Sequence, residues 1–112
     1  MKEKIVLVDG CRTPFLRSET DFLNTMTYEL GQISIKGLIN KTGIDPNEVD
    51  SVIMGCVIST LKTSNLAREA ALTAGIPYST PCHTVSQACI SANRAIATAI
   101  GEIATGQSNV VI

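Results

Sequence analysis

Tryptophan is absent from this chain of 112 residues, and only two tyrosines and two phenylalanines supply aromatic rings. A core must therefore be built from aliphatic side chains and alanine. Charge of one sign is lacking too: nine basic against ten acidic residues leave a net charge of −1, with no basic run or stripe. That excludes the electrostatic footprint of a nucleic-acid binder or of a protein docking on an anionic membrane. No apolar stretch is long enough to span a bilayer, so the chain is expected not to be membrane-spanning. The opening, with Glu3 and a short aliphatic run at residues 5–8, does not make a signal peptide, and a cytoplasmic location is expected. Histidine occurs once, at His83. The four cysteines, Cys11, Cys56, Cys82 and Cys89, form no CxxC pair. A disulfide framework or a zinc site is thereby disfavoured, and reduced thiols with no bound metal are expected.

What is present is an alternation of strands and helices. Residues 5–8, Ile-Val-Leu-Val, predict a strand buried on both faces, of the kind a parallel sheet uses. Arg12-Thr-Pro-Phe15 is irregular, because Pro14 disfavours helix at Thr13. A helix is expected over residues 25–42, with Met26, Leu30, Ile33 and Leu38 on one side and Gly43 closing it. Gly31 and Gly37 weaken that helix but permit close approach of another element. Asp45-Pro46-Asn47-Glu48 has an N-cap aspartate, proline first and glutamate third, which predicts a single turn. A strand is expected over residues 52–58, interrupted by Gly55, and a helix over residues 65–74 capped by Gly75. A third strand holds Thr84 and Val85, and residues 109–112 open a fourth. The order βαβαβαβ specifies an α/β fold with a mainly parallel sheet and helices on both faces. Because residues 110–112 are aliphatic and call for burial, we expect a longer chain cut inside its sheet, and exposed apolar surface in this part of it.

The chain is organised around His83-Thr-Val-Ser-Gln-Ala-Cys-Ile-Ser-Ala-Asn-Arg-Ala95. It starts as strand and becomes helix near Ser91. Ala92, Ala95, Ile96, Ala99, Ile100 and Ile103 predict a buried stripe, with Ser91, Arg94, Thr98, Glu102 and Thr105 on the opposite one. Cys89 falls at the joint, facing the unpaired N–H groups and positive dipole end of the helix. That field favours an anionic sulfur, which suits a nucleophile. Free cysteine also serves as a small apolar filler, and position alone leaves both readings open. Acyl transfer by a thiol needs a base and oxyanion donors. The Cys89 N–H could be one donor. His83, on an extended path of about 3.3 Å per residue, would lie roughly 20 Å away and so reads as a structural strand residue.

Arg12-Thr-Pro-Phe15, Asn65-Leu-Ala-Arg-Glu-Ala70 and Val85-Ser-Gln-Ala-Cys89 together resemble the thiolase family, in order and over essentially the whole chain. Lys62-Thr-Ser-Asn-Leu-Ala-Arg-Glu-Ala-Ala71 and the Cys89-Ile-Ser-Ala92 run, where many thiolases have Cys-Gly-Ser-Gly, are most similar to the trifunctional-enzyme β-subunit branch. The resemblance implies a thiolase-like layered fold, of which residues 1–112 would be part of the N-terminal domain. It implies that Cys89 accepts the acyl group in thiolytic cleavage of a 3-ketoacyl-CoA, with coenzyme A as substrate and no cofactor. It further implies a homodimer pairing through Thr84–Gln87, a possible multifunctional α-subunit, and a nucleophilic helix buried between sheets. The family's activating histidine and second cysteine belong to its C-terminal half. Cys11, Cys56 and Cys82 match neither role and read as structural thiols, so the isolated chain is expected to be inactive. A biosynthetic acetyl-CoA C-acetyltransferase, a ketosynthase-type condensing enzyme and a non-catalytic α/β module are the competing readings. The early Arg-Thr-Pro-Phe signature argues against the ketosynthase.

Overall fold

The structure, a computed structural model, describes residues 4–112. Met1, Lys2 and Glu3, part of the opening read above, lie outside the described residues. The elements are helix α1 (Thr27–Thr42), a single 3-10 turn (Pro46–Glu48), strand β1 (Val52–Gly55), helix α2 (Leu66–Ala74), strand β2 (Cys82–Val85) and helix α3 (Ser91–Ala104). Strand β1 pairs with β2 in parallel, Val52 opposite Cys82 and Gly55 opposite Val85. Residues 110–112 run along the other edge of β1: Asp50 N–H donates to Val110 C=O at 2.9 Å and Ile53 N–H to Ile112 C=O at 2.7 Å. The expected fourth strand is thus an extended segment with one parallel bridge, Ser51 to Val111.

Local chemistry places the element ends. Gly43 and Gly75 close α1 and α2 in the left-handed conformation, at φ 70° and 94°. The Asp45 carboxylate accepts the Asn47 N–H at 2.9 Å to start the 3-10 turn. Asn65 caps α2 by accepting the Arg68 N–H, and it also joins α2 to the sheet. Its Nδ2 donates to Cys82 C=O at 3.0 Å, and the Thr84 hydroxyl donates to its Oδ1 at 2.8 Å. The same hydroxyl accepts the Ala67 N–H at 3.0 Å. The Arg68 guanidinium then holds the approach to β2, donating to the carbonyls of Tyr78 and Thr80.

The sheet is covered on both faces. Val52 belongs to the cluster of Ile35, Val49, Ala67, Ala70, Ala71, Ala74 and Ile76 that α1 and α2 build on one side. Every buried residue of α2 is alanine, which lets α1 and the sheet come close. Gly31 is where that matters: a Cβ there would stand 2.9 Å from the Ala70 Cβ. Strand alternation turns Ile53 and Gly55 to the other face, where α3 lies.

Four expectations are corrected. Residues 5–8 form no strand; Val6, Leu7 and Val8 are exposed. Both edges of β1 are taken, by β2 and by residues 110–112, and the chain just beyond residue 8 is tied to α1 rather than to the outer edge of β2. Lys41 Nζ meets Asp9 at 2.7 Å, and the Cys11 thiol donates to Ser34 C=O at 2.9 Å. On α1 the buried residues are Gly31 and Ile35, whereas Ile33 is 54% exposed, because the helix is rolled to bring Gly31 onto Ala70. Strand β1 stops at Gly55, short of residue 58; Val57 and Ile58 are exposed. On α3 the buried residues are Ser91 and Ala95, whereas Ile96 and Ile100 of the expected stripe are exposed at 52% and 47%. Only small side chains fit where α3 meets the β1 backbone. Among the described residues no helix is long and apolar enough to cross a membrane.

Two predictions follow from these ties. Asn65→Ala removes the cap of α2 and its two links to β2, and should lower stability to urea unfolding by about 2 kcal/mol; Asn65→Asp keeps the accepting oxygen and should cost less. Asp50 Oδ2 accepts the N–H groups of Asn109 (2.7 Å) and Val110 (3.0 Å), which hold its carboxyl below the ordinary carboxylate range. A lowered folded-state value means the tie contributes above the unfolded value of about 3.9 and is lost as pH falls through the folded one. Asp50→Ala should lower the protection of amides 109 and 110, measured against their intrinsic exchange rates, at neutral pH, and acidification below about pH 3.9 should lower the wild-type protection towards the same level.

Candidate functional site

Strand β2 delivers the chain to a sharp reversal before α3. Its ladder reaches Val85, whose C=O accepts the Cys56 N–H at 3.0 Å. Ile90 N–H then donates back to Gln87 C=O at 3.1 Å and Ser91 N–H to Ala88 C=O at 3.2 Å. Ala88, at the apex, has φ 45°. Cys89 follows it and precedes the N-cap residue Ile90, which offers no side-chain cap to the first turn of α3.

Behind the reversal stands Gly55. A Cβ on it would lie 2.5 Å from the Ser91 carbonyl carbon and 2.7 Å from the Ala92 nitrogen. The backbone of β1 and the first turn of α3 are therefore in direct contact, and no side chain fits between them. Glycine inside a strand pattern signals such an approach, but which element comes close was not readable from it.

Cys89 is exposed, and its N–H makes no hydrogen bond among the described residues. The other three thiols each donate to a backbone carbonyl: Cys11 to Ser34, Cys56 to Ile58 at 3.2 Å and Cys82 to Thr80 at 3.3 Å. Among the described residues only the Cys89 sulfur has no such partner. A free N–H next to an uncommitted sulfur, at the positive end of a 14-residue helix, sets one hydrogen-bond donor beside one nucleophilic atom, two of the parts that acyl transfer to a thiol requires. Beside it a shallow cleft of about 220 Å³ is lined by Gln87, Ile90, Asn93, Arg94 and Ala97. Arg94 Nε donates to Gln87 Oε1 at 2.6 Å across it.

His83 sits elsewhere. It lines a second cleft, of about 360 Å³, with Asp50, Ser51, Glu102, Gln107 and Ser108. Glu102 belongs to the last turns of α3 and Cys89 precedes its first, so about 20 Å along the helix separates Cys89 from Glu102 at 1.5 Å per residue, and His83 lines the cleft at the Glu102 end. No imidazole is brought to Cys89 by these residues. Sequence reasoning missed Ser91, which it placed on the solvent side; the signal for its burial lay in Gly55, a residue on another element.

Comparison with known proteins bears on the family and the fold. The family described as "Thiolase, N-terminal domain" matches residues 5–112. The chain is 51% identical over 108 residues to the mitochondrial trifunctional enzyme subunit beta of Bos taurus, covering 96% of this chain and 23% of that protein. It is 34% identical over 110 residues to the 3-ketoacyl-CoA thiolase of Aliivibrio fischeri (strain MJ11), covering 98% and 25%. The crystal structure of the Bacillus anthracis acetyl-CoA acetyltransferase superposes with a TM-score of 0.77 at 35% identity, covering 81% of this chain and 23% of that one. The chain thus spans about a quarter of the length of these relatives. With a parallel sheet, helices on both faces and an exposed cysteine between β2 and α3, it belongs to the thiolase family, as part of its N-terminal domain.

Proposed function

We propose that Cys89 is the acyl-accepting nucleophile of a 3-ketoacyl-CoA thiolase, an acyltransferase of fatty-acid β-oxidation. The observation that carries the reading is the exposed, uncommitted Cys89 sulfur beside its own free N–H. The thiolate attacks the 3-keto carbon, and the resulting oxyanion takes up the Cys89 N–H as one donor. The C2–C3 bond breaks; its electron pair leaves as the acetyl-CoA enolate, which is protonated to acetyl-CoA. The shortened acyl group stays on sulfur as a thioester. The thiolate of free CoA then attacks that carbonyl and releases the Cys89 thiolate and an acyl-CoA. Splitting the exchange into two such steps is the gain from covalent catalysis. Coenzyme A enters as substrate, and no further cofactor is needed.

The base that deprotonates Cys89, and the acid for the enolate, are not supplied by His83, which lines the cleft at the other end of α3. In this reading they come from residues other than these 112, as the family resemblance implies. A homodimer through Thr84–Gln87 is also part of the proposal: among the described residues β2 is paired on one edge only. The name of the Bos taurus relative makes that protein a subunit, which supports a multifunctional α-subunit as partner here. A cytoplasmic location stays an expectation for cell fractionation to test, and co-purification with mitochondria, as in the name of that relative, would replace it. A biosynthetic acetyl-CoA acetyltransferase is the second reading, favoured by the similarity to the Bacillus anthracis structure.

The test is acyl transfer to the protein in its full-length form. Incubation with acetyl-CoA should place one acetyl group on the Cys89 peptide, and Cys89→Ser should lower thiolysis of a 3-ketoacyl-CoA by about three orders of magnitude or more. Residues 1–112 alone should acetylate far more slowly, without base or bound CoA. Wild-type turnover in the Cys89→Ser protein would sink the proposal. Comparing acetoacetyl-CoA with longer 3-ketoacyl-CoA substrates separates the two readings.

A further inference from the structure

We propose that Ser91 is the positioning residue of the Cys89 site: its hydroxyl holds Ala88 in the left-handed conformation and so sets the direction of both the Cys89 sulfur and the Cys89 N–H. The inference rests on the reading of Cys89 as nucleophile and adds a residue to it.

Ala88 is at φ 45°, and apart from Glu19, in an exposed turn, no other non-glycine residue among those described has positive φ. There the Cβ crowds the following carbonyl oxygen. Asparagine or aspartate can offset this with a local hydrogen bond; alanine has no polar atom to do so. The conformation must therefore be held from outside, and Ser91 holds it on both sides. Its Oγ donates to Ala88 C=O at 2.6 Å and accepts the Gln87 N–H at 2.8 Å. One hydroxyl thus brackets the residue before Cys89.

Ser91 cannot easily move away. It is 3% exposed, and the Gly55 backbone presses on it from behind. Without the hydroxyl, the Gln87 N–H loses its partner and Ala88 relaxes towards negative φ. That rotation turns the Ala88–Cys89 peptide, and with it the Cys89 N–H and the sulfur. Nucleophile and oxyanion donor are displaced together, which acts on the chemical step rather than on substrate binding.

The experiment measures alkylation of each cysteine by iodoacetamide, mapped by peptide mass, with turnover of a 3-ketoacyl-CoA alongside, in the full-length protein. Ser91→Ala should slow Cys89 alkylation about tenfold and lower kcat by a similar factor with KM little changed. The rates at Cys11, Cys56 and Cys82 should stay at wild-type values. Adding Ala88→Gly to Ser91→Ala should return Cys89 to within about twofold of wild type, because glycine adopts positive φ without crowding. Should Ser91→Ala fail to fold, Ala88→Val tests the same point with Ser91 intact: valine is disfavoured at positive φ and should slow Cys89 likewise.

A Ser91→Ala protein alkylated at the wild-type rate overturns the proposal. So does a double variant no faster than Ser91→Ala, since a serine that merely fills space gains nothing from glycine at 88. A Cys89 rate unchanged in Ala88→Val overturns it too. A protein inert towards acyl-CoA whose Cys89 alkylation still follows Ser91 overturns the thiolase reading and supports the role of Ser91.

Discussion

The contact between the Gly55 backbone and the first turn of α3 is the constraint on which this site depends. Two backbones meet where a single methyl group would stand 2.5 Å from a carbonyl carbon. That contact fixes which face of α3 turns inward, and the residues it brings down onto β1, Ser91 and Ala95, are both small. It also places the start of the helix at the C-terminal ends of the two parallel strands, the side on which ligands are bound in α/β sheets. The reversal from β2 to α3 has to be completed in a few residues, and Ala88 takes the left-handed conformation to do it.

The opposite face of the sheet follows the same physics with different groups. Four alanines of α2 and Gly31 of α1 let three layers of backbone approach, and the core is thin and aliphatic as a result. Close backbone contact leaves little apolar area to bury per residue, so polar ties do much of the positioning. Asn65 is the clearest case: a helix cap that also bonds the backbone of β2 at Cys82 and the side chain of Thr84. The strand that carries the chain to Cys89 is thereby fixed from both sides, by α2 through Asn65 and Thr84 and by β1 through its ladder.

The four thiols show how location puts one residue type into different surroundings. Cys11, Cys56 and Cys82 each find a carbonyl, and Cys82 also packs against the core. Among the described residues Cys89 meets neither carbonyl nor core, and is left facing outward with its own N–H. Composition cannot distinguish the four; the chain geometry around them does.

Much was legible in the sequence because it is encoded within a few residues. Gly43, Asp45, Asn65 and Gly75 act on neighbours up to four positions away, so the ends of α1, the 3-10 turn and α2 could be read from φ preference and capping alone. The placement of Cys89 between strand and helix came from the same local signals, and the family resemblance from motifs in fixed order. What only the tertiary structure decided is where remote groups meet. Residues 5–8 are aliphatic enough for a strand, yet both edges of β1 are occupied by segments far along the chain, and Asp9 and Cys11 are tied to α1. Periodicity showed that α1 and α3 have apolar faces, but their roll is set by Ala70 and Gly55, small groups on other elements that admit glycine, serine or alanine and turn isoleucine outward. Nothing in the alanine at position 88 announces positive φ; it is imposed by the short path between a strand and a helix that are already packed together.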